Sequence, residues 1–258
     1  MNNHLQMREV HLGKVTGDPE GGYQLEIPAI DTKTYLLAQL DDYMDLSRTK
    51  FPHQPPLRLK LEARTVGCDL QGTFGFGLWN DPFSFGLGPA GMSKLLPVLP
   101  NVAWFFYGSS QNHLTLRDDQ PADGFHVKTF RSPLIPSVFS LFALPMLPFI
   151  FFHPTARWIR KLLRIFIKEE SQAIAIDTGQ WHVFSLEWWA DHVIFKIDES
   201  WIFRSTTAPK GKLGLVIWVD NQFLRFDPKG KLSMGTLKTH SPQIMEFRNI
   251  EINSLRYD

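Results

Sequence analysis

The chain has 258 residues, 43% hydrophobic and 13% aromatic, enough material for a packed core, which excludes an intrinsically disordered protein. With 27 basic and 26 acidic side chains the formal net charge is +1, whereas a nucleic-acid partner would call for a strong basic excess. The lone cysteine, Cys68, rules out an internal disulfide framework and fits a reducing compartment.

From the N-terminus, Met1 to Gly13 is polar and lacks the apolar stretch of a secretory signal, so a cytoplasmic location is expected, with peripheral membrane contact kept open. Residues 20–130 and 173–258 read as short strands punctuated by Gly, Pro and Asp. Strands are predicted over Tyr35–Leu40, over Leu57–Ala63 with its clean apolar/polar alternation, and over Thr73–Trp79, Val102–Tyr107 and His113–Arg117. Further on, Trp181–Trp188 and His192–Asp198 pattern as a hairpin around Ala190-Asp191, followed by strands over Leu213–Val219 and Phe247–Leu255. Many strands with few helical periods imply a sandwich or barrel.

One stretch breaks the pattern. Leu134 to Phe152 has no charged side chain but is interrupted by Pro136, Pro145 and Pro148, which argues against a simple membrane span. Pro154 to Lys168 then opens with proline near a helix start. Trp158, Ile159, Leu162, Leu163 and Phe166 share one helical face, opposite Arg157, Arg160, Lys161, Arg164 and Lys168. Two readings of this insertion, at about 133–172, stay open. It is a lid packed on the sandwich with a solvated basic face, or an amphipathic contact with a membrane surface or hydrophobic ligand.

The run Gly72-Thr73-Phe74-Gly75-Phe76-Gly77-Leu78-Trp79-Asn80-Asp81-Pro82 resembles the Gly- and Trp-containing strand of the concanavalin A-like lectin and glucanase superfamily, closest to family-16 glycoside hydrolases. His182 to Trp188 resembles that family's His-x-Tyr-x-x-Glu-Trp strand. Phe195 to Ser200 is similar to its strand ending in Val-Asp-Gly, and Phe247 to Ile252 to its closing strand. The resemblance covers most of the chain outside 133–172. It implies an all-β, two-sheet antiparallel jelly-roll sandwich over residues 1–258, carrying ligands on a concave face, with the helical segment inserted. It does not bring the catalytic machinery. The family's Glu-x-Asp-x-x-Glu strand corresponds to Val102-Ala103-Trp104-Phe105-Phe106-Tyr107-Gly108-Ser109, which has no carboxylate, whereas retaining hydrolysis needs two carboxyl groups roughly 5–5.5 Å apart.

Alternation assigns candidates instead. If Phe74, Phe76 and Leu78 face the core, Gly75, Gly77, Trp79 and Asp81 face the cleft, the glycines leaving room for a ligand. If Leu215, Ile217 and Val219 face the core, Trp218 and Asp220 face the cleft, and Glu187 turns away from a core side made by Phe184, Leu186 and Trp188. Asp81, Asp220 and Glu187 are thus the acid/base candidates, since aromatic surroundings disfavour an ionised carboxyl. Trp79, Asn80, Trp104, Tyr107, His113, Trp218 and Asn221 are the ligand-binding candidates. Asn and Asp at strand ends also have a turn-stabilising role.

No cofactor is expected, and the nine histidines lack the spacing of a zinc-binding helix motif; the family resemblance leaves a calcium ion on the outer face open, with no ligand set identified. Gly86 to Gly91 reads as a loop at the cleft rim rather than a phosphate loop. The first functional expectation is binding of, and acid/base cyclisation or isomerisation on, a hydrophobic or amphiphilic small molecule. The alternative is a carbohydrate-binding module or a non-standard glycan-active enzyme, and a third is an interaction protein whose lid docks a partner. An apolar helix face turned to the cleft favours the first; one turned elsewhere favours the second.

Overall fold

The computed structural model describes residues 5–19, 21–67, 70–82, 96–138, 140, 149 and 152–256. In chain order the strands are β1 (Gln6–Val10), β2 (Lys14–Gly17), β3 (Tyr23–Ile27), β4 (Leu37–Asp41), β5 (Leu57–Val66), β6 (Thr73–Trp79), β7 (Val102–Gly108) and β8 (Gly124–Arg131). Helix α1 (His153–Phe166) leads into β9 (Lys168–Ala173), then β10 (His182–Trp188), β11 (Val193–Ile197), β12 (Ser200–Ser205), β13 (Gly214–Asp220), β14 (Gln222–Phe226), β15 (Leu232–Thr236) and β16 (Gln243–Ser254). Cys68 and the loop Gly86–Gly91 lie outside the described residues, as does most of 139–151.

Two seven-stranded antiparallel sheets form the jelly-roll sandwich. Sheet A runs β1-β4-β13-β6-β7-β8-β9 and sheet B runs β12-β11-β10-β5-β16-β3-β2, with β14-β15 a separate hairpin. The expected strand His113–Arg117 is instead a crossing loop, tied at His113 to Leu224 and Phe226 by backbone hydrogen bonds. The short polar strands at the sheet edges, such as β9 (KEESQA), carry little apolar periodicity and so escaped the sequence reading.

The period-two rule builds the core directly. In β5, Leu57, Leu59, Leu61 and Ala63 are buried while Arg58, Lys60, Glu62 and Arg64 are not. Facing them, Phe74, Phe76 and Leu78 of β6, Phe105 of β7 and Leu215, Ile217 and Val219 of β13 join the same apolar cluster. Phe76 shows how the sheets interlock, since its ring meets Phe105 at 5.2 Å within sheet A, and Phe184 at 5.0 Å and Phe247 at 5.7 Å in sheet B.

Helix α1 starts with Pro154 in its first turn and no side-chain cap. Its apolar face divides, with Ile159 and Leu163 half-buried. Its buried residues are Ala156 and Arg160, whereas Trp158, Leu162, Ile165 and Phe166 are exposed. Arg160 is tolerated inside because its guanidinium donates to Thr115 O, to Phe226 O at 2.7 Å and to Asp118 Oδ1 at 2.8 Å. Specific polar partners on the 115–118 loop and on β14 therefore set the helix orientation. No helix among the described residues is long and apolar enough to cross a membrane.

A buried ion pair fastens the same loop to sheet A. Lys128 on β8 and Glu169 on β9 are 1% and 0% exposed and lie 3.0 Å apart. Lys128 Nζ donates to Leu114 O at 2.8 Å and the Leu116 N–H donates to Glu169 Oε2 at 2.8 Å. Removing one partner of such a pair costs about 3–5 kcal/mol, because it strands a buried charge. Lys128→Met is therefore expected to lower the urea midpoint sharply at neutral pH. Lys128→Met with Glu169→Gln is expected to recover much of the loss.

Candidate functional site

The face of sheet A turned away from the core gathers the aromatic and polar side chains that alternation displaces from the interior. Register places Trp218 of β13 opposite Gly75 of β6, with Gly75 in turn opposite Phe106 of β7. One row along, Val216 pairs with Gly77 and Gly77 with Trp104. The glycines admit tryptophan rather than ligand. A Cβ on Gly75 would lie 2.8 Å from Trp218 Cη2, and one on Gly77 would lie 2.5 Å from Trp104 Cβ. The resulting floor joins Trp104 to Trp218 at 5.2 Å between ring centroids, Trp79 to Trp104 at 6.0 Å and Trp79 to Trp218 at 6.5 Å. Trp218 is buried, whereas Trp79 and Trp104 are half-buried and present the accessible ring surface. The buried indole N–H of Trp104 has no hydrogen-bond partner, which leaves a donor unused at the floor.

Polar groups bracket the floor at two ends. At one, the Trp218 indole N–H donates to Thr73 Oγ1 at 2.9 Å and the Thr73 hydroxyl donates to Asp220 Oδ1 at 2.7 Å. The Gln222 N–H donates to the same carboxyl oxygen at 3.2 Å. Burial nevertheless outweighs these bonds and pushes the Asp220 carboxyl up to about 7. The Asp220 charge also helps hold the Tyr35 phenol above its ordinary value, although burial is the larger cause. At the other end, Tyr43 packs on Phe51 at 4.8 Å and edge-on to Trp79 at 6.1 Å. Burial raises the Tyr43 phenol first, and the nearby carboxylates Asp81 and Asp41 raise it further. Asp41 accepts from Gln39 Nε2 at 2.8 Å and from the backbone N–H of Tyr43 and Met44.

The sequence candidates divide accordingly. Trp79, Trp104, Trp218 and Asp220 meet on this face. Asp81 follows the far end of β6, because β6 and β13 are antiparallel and Asp220 pairs with Thr73 while Trp79 pairs with Gly214. Six residue steps of β6 separate those ends by about 20 Å, so the two Trp-x-Asp motifs do not place their aspartates together. Asp81 is buried and its carbonyl accepts from Arg48 Nη2 at 2.8 Å.

Tyr107 lies on the opposite face from Trp104, stacked on Phe74 at 4.7 Å between the sheets, with its hydroxyl donating to Leu70 O at 3.2 Å. Glu187 belongs to sheet B and pairs with Lys196 at 2.7 Å, on the other side of the sandwich. Asn80 and Asn221 hold backbone. Asn80 Oδ1 accepts from the Asn101 N–H at 2.9 Å, and Asn221 Oδ1 accepts from the Leu36 N–H at 2.8 Å.

His113 sits in the crossing loop with a buried, unpartnered Nε2, its pKa lowered first by burial and then by Arg160 and Arg225. Sequence reasoning missed Thr73, Gln39, Asp41 and Tyr43. The first three share the outward parity of their strands, a signal that alternation alone could have used. No group of three or more His, Cys, Asp or Glu among the described residues is placed to hold a metal ion.

The Asp220 environment has a measurable sign. A carboxyl raised from 3.8 to about 7 in the folded protein binds a proton there that the unfolded chain has lost, so stability falls as pH rises from about 4 to 7. Asp220→Asn removes this component, worth on the order of 4 kcal/mol across the window. In urea denaturation the variant is expected to be near wild type at pH of about 4 and more stable than wild type above about pH 7.

No protein-family profile and no curated protein matches the sequence. Among solved structures the chain is similar to an immunostimulatory antigen and pseudo beta-1,3-glucanase of Mycobacterium tuberculosis, with 12% identity, a TM-score of 0.50, and coverage of 94% of this chain and 78% of that one. It is also similar to the Crh5 transglycosylase in complex with NAG, at 12% identity, TM-score 0.48 and coverages of 98% and 79%. The Bacillus licheniformis beta-glucanase matches at 8% identity, TM-score 0.45 and coverages of 99% and 94%. At these identities the likeness is one of fold, and the chain shares its two-sheet jelly-roll architecture with the mycobacterial pseudo beta-1,3-glucanase.

Proposed function

We propose that the protein binds a saccharide on the tryptophan floor of sheet A and does not hydrolyse it by the paired-carboxylate route. The carrying observation is the cluster of Trp79, Trp104 and Trp218 on one outward face, with two indoles still accessible. The C–H bonds of a sugar ring pack on such faces, while hydroxyl groups seek polar partners like those at either end of the floor. The fold shared with the pseudo beta-1,3-glucanase supports a glycan ligand, and the orientation of α1 supports it too, because the exposed apolar stripe faces solvent instead of covering the floor.

Hydrolysis by Asp41 and Asp220 is disfavoured by spacing. Strand β7 has no carboxylate. Asp41 pairs with Val216, four residues from Asp220 along β13, or about 13 Å along the strand. Retaining and inverting chemistry need roughly 5–5.5 Å and 6.5–9.5 Å.

A second reading, proton donation to an amphiphilic small molecule, is favoured by one feature, the Asp220 carboxyl poised at about 7 beside indole rings. A thermal-shift screen of glucan and galactan oligosaccharides against isoprenoids and detergents separates the two. The expected result is stabilisation by oligosaccharides, with affinity reduced at least about tenfold in Trp104→Ala. Stabilisation by the apolar panel alone would transfer the assignment to the second reading, and no response to any saccharide would refute the first.

A further inference from the structure

Helix α1 wears its polarity inside out. Trp158, Leu162 and Ile165 fall at successive one-turn spacings and are 55%, 36% and 72% exposed. Phe166 beside them is 44% exposed, and Phe149 and Phe152, which lead into the helix, are 57% and 63% exposed. The body of the protein engages the other side, where Ala156 and Arg160 are buried. Next to the apolar stripe runs a second one-turn series, Arg157, Lys161, Arg164 and Lys168, all exposed. Arg164 is shared with Asp118 at 3.6 Å, so the remaining three supply most of the unbalanced charge. From His153 to Lys168 the sequence contains no Asp or Glu.

An apolar row edged by cations selects for a surface that is greasy and negatively charged at once. A neutral apolar protein groove would match the first property and leave the cations unanswered. A headgroup layer of anionic lipid matches both, with the indole and aliphatic side chains entering the acyl boundary and the cations staying among phosphates. From this complementarity we infer that α1 docks the protein peripherally on anionic bilayers, lying in the interface plane with the Trp158–Leu162–Ile165 row inserted. The Arg160 anchor fixes the orientation, since its three acceptors on the 115–118 loop and β14 keep the apolar row outward before lipid is met. This docking does not depend on what sheet A binds.

The test is co-sedimentation of the full chain with vesicles of phosphatidylcholine containing roughly one-third phosphatidylglycerol, beside pure phosphatidylcholine. Binding to the mixed vesicles, weakened about fivefold in Lys161→Gln and more at high salt, is expected. Trp158→Ser with Ile165→Ser is expected to abolish sedimentation while leaving the thermal midpoint within a few degrees, because both side chains are exposed. Equal affinity for both vesicles, no binding to either, or binding unchanged in the double variant overturns the proposal. A lipid-free dimer that the double variant converts to monomer also overturns it, assigning the row to a second copy of the chain.

Discussion

The outer face of sheet A depends on a close approach that only glycine permits. Trp218 covers Gly75 so tightly that one added methyl group would lie 2.8 Å from the ring, and one on Gly77 would lie 2.5 Å from the Cα and Cβ of Trp104. Because β6 has no side chain at those two outward positions, the indoles of its neighbours on either side lean across it and come within 5.2 Å of each other. A sheet with ordinary side chains there would hold the rings apart on separate strands. The tryptophan floor and the burial of Trp218 follow from that vacancy in the pleat.

Burial then sets the electrostatics. Asp220 accepts hydrogen bonds that favour its charge, and desolvation still prevails, leaving the carboxyl near neutrality in its titration. Lys128 and Glu169 solve the same problem by pairing, while Arg160 solves it with two backbone carbonyls and a carboxylate. These two solutions converge on the loop from Leu114 to Asp118, which therefore links the far edge of sheet A to the helix. Buried charge thus holds that loop beside the apolar packing of Leu114.

Much of this was legible in the residues. Alternation in Leu57–Ala63, Thr73–Trp79 and Leu213–Val219 set both the strands and the parity of their faces, and the burial of Phe74, Phe76, Leu78, Leu215, Ile217 and Val219 follows it. Tyr107 was misread although parity was available, because Trp104 and Tyr107 are three residues apart and so must point to opposite faces. Glu187 was misread for a different reason, since a residue that leaves the core of sheet B reaches the opposite outer surface from one that leaves the core of sheet A.

The sequence by itself determined a set of short strands that make a sandwich or barrel, the inward and outward residues of the strong ones, the missing carboxylates on β7 and a helix with one apolar and one basic side. These are properties of local period and composition, which need no knowledge of neighbours. Tertiary structure alone decided which strands adjoin, and with that the antiparallel register that sends Asp81 and Asp220 to opposite ends of one floor. It also decided which side of α1 meets the protein. Periodicity gives a helix two faces but not the partner of either, and here the side that meets the protein carries Ala156 and a guanidinium held by three acceptors.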